Sequence, residues 1–128
     1  MKTAIRSLLL MLSLLAVMNA LAAETRAFDT ATFAALQAAN KPILIDVYAD
    51  WCPICKAQEP IISDLVTRPE FKDYAVLRVN YDTQKDVRRD LRVSQQSTLI
   101  VYRGKQEVAR SIGDTQRDSI AATLRKAL

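Results

Sequence analysis

Cys52 and Cys55 are the only cysteines in the chain, set two residues apart in Cys52-Pro53-Ile54-Cys55. Two thiols at this spacing can close a small disulfide ring, or open it, with little backbone movement. They follow an apolar run and stand where a helix is expected to start. Pro53 falls in its first turn, where a missing N–H costs nothing. A helix N-terminus favours an anion, which lowers the pKa of the first thiol and makes Cys52 a nucleophile. The pair therefore reads as a thiol–disulfide exchange site. A plain stabilising disulfide is one alternative, but so small a ring removes little unfolded-state entropy. Zinc is another, yet two cysteines in a chain without histidine cannot supply four ligands, so no metal is expected.

Asp46 is the next candidate. It interrupts the run Ile43-Leu44-Ile45-Asp46-Val47-Tyr48, a short β-branched segment of the kind buried on both faces of a sheet. A carboxylate there is costly unless paired or protonated, and desolvation raises its pKa. Its place just before the cysteines suggests a buried acid–base group; a strand-end aspartate reaching solvent is the plainer reading.

The elements that must position these residues follow from pattern. Residues 24–28 read as an extended lead-in. Asp29 or Thr30 can cap a helix over 31–39, with Phe33 and Leu36 inward and Asn40 at its end. The strand 43–48 precedes the cysteine helix, which runs to about Leu65 with a kink at Pro60. A break at Thr67-Arg68-Pro69 leads to a strand over 75–80. Asp82-Thr83 is expected to cap a helix over 84–91, and 93–96 to form a loop. A strand over 98–102, a turn at Arg103-Gly104-Lys105 and an edge strand over 107–111 make a hairpin. The last helix runs to Leu128, with Ile120, Leu124 and Leu128 toward the core. Helices alternating with apolar strands, then a hairpin, imply an α/β domain: a mixed central sheet flanked by helices on both faces.

Composition narrows the function. The chain has 128 residues, enough for one small domain, and a net charge of +4. Lys2 and Arg6 belong to an N-terminal leader pattern; without them 16 basic residues face 14 acidic ones. That net of +2, with no basic run interleaved with aromatics, argues against nucleic acid. Two glycines in the whole chain exclude a Gly-rich phosphate loop. The leader itself joins a positive start, an apolar stretch over 8–17 and Ala20-Leu21-Ala22, the pattern of a signal peptide over 1–22 ahead of a domain over 23–128. Cleavage is expected after Ala22 or Ala23. An uncleaved anchor is the alternative, although the apolar stretch is short for a bilayer span of about 20 residues. Either way the domain is expected outside the cytoplasm.

Over residues 41–128 the sequence resembles the thioredoxin-like family. The resemblance rests on the strand 43–48 and on Lys41-Pro42 and Tyr48-Ala49-Asp50-Trp51-Cys52, which look most like the C-terminal periplasmic domain of the transmembrane thiol reductase DsbD. It implies the thioredoxin fold and a periplasmic protein-disulfide reductase. By the same resemblance Cys52 is the exposed attacking cysteine and Cys55 the more buried resolving one. Asp46 is the acceptor of the resolving thiol's proton, and Arg78 is its neighbour. Trp51 packs beside the disulfide, and Pro60 kinks the helix. Ser97, in Gln96-Ser97-Thr98-Leu99, stands where the family keeps a cis-proline. A cis bond before a non-proline residue costs ~3 kcal/mol, so the Gln96–Ser97 bond is expected to be trans. The Ser97 backbone N–H and hydroxyl would then lie near the sulfurs.

The resemblance also implies partners: disulfide-containing exported proteins as clients, and a membrane electron donor of the DsbD or CcdA type. No flavin or nicotinamide motif is present, so no cofactor is expected. Strong oxidants in this family often carry histidine between the cysteines, which stabilises the thiolate. Pro53-Ile54 lacks it, and a buried Asp46 disfavours a low thiolate pKa, so a reductant is expected. A thiol oxidase or isomerase, or a non-redox binding or assembly factor on the same fold, is the alternative.

Overall fold

The structure is a computed structural model and describes residues 24–128. The leader 1–22 therefore lies outside the described residues. The strands are β1 (Thr25–Ala27), β2 (Pro42–Tyr48), β3 (Ala75–Asn80), β4 (Thr98–Arg103) and β5 (Gln106–Ile112). The helices are α1 (Thr30–Ala38), α2 (Pro53–Leu65), α3 (Lys85–Asp90) and α4 (Arg117–Arg125), with a short 3₁₀ turn at Pro69–Phe71. Among the described residues, no helix is long and apolar enough to cross a membrane.

β2 is central because its residues can be buried on both faces: Pro42 to Val47 are all buried. The sheet order is β1-β3-β2-β4-β5. β1, β3 and β2 run parallel, whereas β4 and β5 are antiparallel to their neighbours. Alternation along β2 divides the core. Leu44, with Val76, Leu99 and Val101, packs under Ile62 and Leu65 of α2 and Ile120 and Leu124 of α4. Ile43, Ile45 and Val47 pack on the opposite face with Leu36 of α1 and with Leu91 and Val93 around the end of α3. Asp46 shares Leu44's parity, so it points toward α2.

Three readings of the chain need correction. The lead-in contains a strand, β1, which pairs with β3 in the register Thr25↔Val76. Thr25-Arg26-Ala27 has no apolar pattern because backbone pairing at the edge holds it. Asp82 and Thr83 do not cap α3. Their own N–H groups donate to the Asn80 Oδ1, and Gln84 holds the N-cap position. Helix α4 starts at Arg117 and ends at Arg125. Leu128 is consequently 59% exposed, and Ala127 fills the core position instead. The remaining strand and helix boundaries fall within two residues of expectation. Asp29 caps α1 by accepting the Thr32 N–H at 2.7 Å. Asn40 follows that helix in the left-handed region, with φ 52°.

Candidate active site

Strand β2 ends at Tyr48, and a short turn delivers the chain to the N-terminus of α2. Cys52 is the N-cap: its extended backbone lets Sγ accept the Cys55 N–H at 3.1 Å. A sulfur thus fills the place usually taken by a serine or aspartate oxygen. Pro53 follows in the first turn, and Pro60 lies inside the helix. Cys52 and Cys55 are joined as a disulfide, with Cα atoms 5.3 Å apart.

The sulfurs are more covered than the sequence suggests. Cys52 is 1% exposed and Cys55 5%. The expectation of an exposed Cys52 therefore fails for the oxidised state. Its cause is local: the ring folds in with Ala49, and Tyr48 and Tyr81 pack against it. Toward solvent stand Trp51 (57% exposed) and Ile54 (44%), which adjoin the cysteines in the chain, and Ile112 (51%), which pairs with Thr98 next to Ser97. Trp51 is held by its indole N–H, which donates to Asp82 Oδ2 at 2.9 Å.

Asp46 is buried, as expected, and Arg78 meets it. Their β-strands are in register at this pair, and Arg78 Nε donates to Asp46 Oδ2 at 3.1 Å. The same guanidinium stacks 3.9 Å from the Tyr48 ring centroid and lies 3.8 Å from Glu59 Oε1. Burial raises the Asp46 pKa. The Arg78 charge and hydrogen bond oppose that rise, and the Glu59 charge reinforces it. Desolvation prevails because one half-buried cation cannot replace the hydration that the carboxylate loses. A cleft of about 110 Å³ reaches Cys55, and a second of about 260 Å³ reaches Asp46. Glu59 and Arg78 line both.

Ser97 meets Cys55 at the Val47 carbonyl. No cis peptide occurs among the described residues, so Gln96–Ser97 is trans, and Ser97 takes φ 59°. Its N–H donates to the Val47 carbonyl at 2.8 Å, and Cys55 Sγ lies 3.9 Å from that same oxygen. Its hydroxyl donates to the Gln96 carbonyl at 2.5 Å. Both donors expected near the sulfurs are thus engaged by backbone carbonyls.

Sequence reasoning assigns neither Glu59 nor Gln58 to the site, and it places Tyr48 only in the strand and Asp82 only as a helix cap. Gln58 was the most accessible of these: Cys55, Gln58, Ile62 and Leu65 are the buried residues of α2, and their spacing traces one helical face. A glutamine in such a stripe is a polar group asking for partners. Among the described residues, no cluster of three or more His, Cys, Asp or Glu could hold a metal ion.

Comparison with known proteins agrees with this geometry. The thioredoxin family model matches residues 23–126. Trxlp from Edwardsiella tarda EIB202 superposes with a TM-score of 0.77 at 48% identity, over 79% of this chain and 98% of that one. Thioredoxin H2-1 from Oryza sativa subsp. japonica is 35% identical over 66% of this chain and 59% of its own length. Thioredoxin-2 from Saccharomyces cerevisiae is 34% identical over 62% of this chain and 74% of its own length. The chain spans only 18% of the bifunctional thioredoxin reductase/thioredoxin of Mycobacterium leprae. A mixed five-stranded sheet, a disulfide capping the helix after its central strand and a match over nearly all the described residues lead to one conclusion: the chain belongs to the thioredoxin family.

Proposed function

We propose that this protein is a thiol–disulfide oxidoreductase that reduces disulfides in exported client proteins. The observation that carries the reading is the Cys52–Cys55 disulfide at the α2 N-terminus, with Cys52 Sγ placed as the cap. When the pair is reduced, the same position stabilises a Cys52 thiolate, through the Cys55 N–H and the helix dipole. The thiolate attacks one sulfur of a client disulfide, and the other client sulfur leaves as a thiolate and takes up a proton. Cys55 gives its proton to Asp46 through the clefts lined by Glu59 and Arg78, then attacks Cys52 Sγ. The client leaves reduced by two electrons, and Cys52–Cys55 is reformed. The exposed Trp51, Ile54 and Ile112 offer apolar surface to a polypeptide.

The reducing direction rests on Pro53-Ile54, which adds no thiolate-stabilising histidine, and on the buried carboxyl of Asp46. Export rests on the leader pattern over 1–22, and the membrane donor of the DsbD or CcdA type on the likeness to the DsbD C-terminal domain. A disulfide-reduction assay with insulin and dithiothreitol tests the chemistry. Cys52→Ser should fall to the uncatalysed rate; a variant as active as the parent removes thiol exchange as the basis. Mixed disulfides trapped in cells by Cys55→Ala identify the clients, and a catch consisting only of cytoplasmic proteins would contradict export.

A further inference from the structure

Gln58 is fully buried on α2, one turn beyond Cys55. An amide in that position is costly unless its polar atoms are used. Its Nε2 donates to two backbone carbonyls on two separate loops, Asp114 at 2.9 Å and Ser97 at 3.3 Å, while its buried Oε1 accepts no hydrogen bond. The amide orientation is fixed by this, since a flipped Oε1 would face two carbonyl oxygens. Gly113 N–H donates to the same Ser97 carbonyl at 3.0 Å. The contacts form a closed circuit. Cys55 Sγ lies against the Val47 carbonyl, the Val47 carbonyl accepts the Ser97 N–H, and the Ser97 carbonyl accepts from Gln58 on the cysteine helix.

Ser97 needs such support. At φ 59° a serine sits in the left-handed region, which disfavours residues with a Cβ by about 1–2 kcal/mol. A strained peptide persists only when its surroundings over-determine it. The Val47 carbonyl holds its N–H side, and Gln58 together with Gly113 holds its carbonyl side.

We propose that Gln58 is a positioning residue: it acts through Ser97, fixing the loop beside Cys55 in the shape that a polypeptide disulfide meets. This rests on the oxidoreductase reading above. A small disulfide needs only the sulfurs, whereas a polypeptide must also pass along the loop, so the two substrates should separate in a Gln58 variant.

Gln58→Met removes both donors and keeps length and apolar volume; Gln58→Leu is the second variant should the first fail to fold. Two readouts decide. In amide hydrogen exchange, Ser97 should exchange about tenfold faster or more, with Ile100 in β4 unchanged. In kinetics, kcat/KM with insulin should fall about fivefold further than the rate constant with 5,5′-dithiobis(2-nitrobenzoate), chiefly through KM. Unchanged Ser97 exchange, Ser97 and Ile100 accelerating together, or equal losses with both substrates would overturn the proposal. A parent protein inactive with both substrates would instead refute the oxidoreductase reading, and the exchange measurement would still decide the role of Gln58.

Discussion

Asp46 immediately precedes Val47, whose carbonyl lies between Cys55 and Ser97, and it is among the few polar residues buried in the core. Its raised pKa has a consequence of definite sign. The folded state holds the proton more tightly than the unfolded chain, so stability declines as pH rises from the ordinary carboxylate value of 3.8 through the raised folded value. Above that window the deficit is constant; below the ordinary value it vanishes. Asp46→Asn should therefore be more stable than the parent in urea unfolding at pH 7, with the gain closing near pH 3. A variant less stable at pH 7 would mean that the Arg78 pair, not desolvation, dominates. The same variant should resolve mixed disulfides about 10²-fold more slowly, the usual loss for a proton-transfer group. Asp46 could be read from sequence because it is the lone charge in an apolar run. The cover over Cys52 could not, because it comes from Tyr48 and Tyr81, which meet only when β2 and β3 pair side by side.

At the level of elements, legibility followed burial. β2, β3 and β4 are apolar runs, and they form where those runs lie. β1 and the start of α3 were obscure because backbone pairing and one side chain decide them. Asn80 accepts the N–H groups of Asp82 at 2.9 Å and Thr83 at 3.2 Å, closing the turn between β3 and α3. Asn80→Ala should lower stability by about 1 kcal/mol, as loss of a capping side chain does. Asp82→Ala should instead act on the site, freeing the Trp51 indole; a change in tryptophan fluorescence with little change in unfolding midpoint would show it. The β4–β5 turn makes a stricter demand. Gly104 has φ +56°, and a Cβ there would stand 2.7 Å from Asn40 Oδ1 and 3.3 Å from the Gln37 carbonyl oxygen. Gly104→Ala therefore meets backbone strain and a clash together, and thermal unfolding should reveal a loss of about 2 kcal/mol. A neutral Gly104→Ala would show that the turn readjusts around Asn40.

For the whole molecule, the reducing power of the cysteine pair and the stability of the fold are linked. Oxidised and reduced forms, each folded or unfolded, close a thermodynamic cycle. The stability difference between the two folded forms thus equals the difference in reducing power between the folded protein and its unfolded dithiol. Two terms compete. Closing Cys52 to Cys55 restricts the unfolded chain, which favours the oxidised form by about 2 kcal/mol for so short a ring. A Cys52 thiolate capping α2 favours the reduced form, and that term is weakened here by a site without histidine and by Asp46 beneath the helix. The oxidised protein should therefore unfold at higher urea than the reduced one. A difference near 2 kcal/mol would make the folded pair more reducing than its unfolded dithiol by about 40 mV. The reverse order would mark an oxidant, because a disulfide that destabilises its own fold is one the protein tends to give away. Paired urea titrations with and without dithiothreitol, at one pH and with the sulfurs assayed, measure this directly.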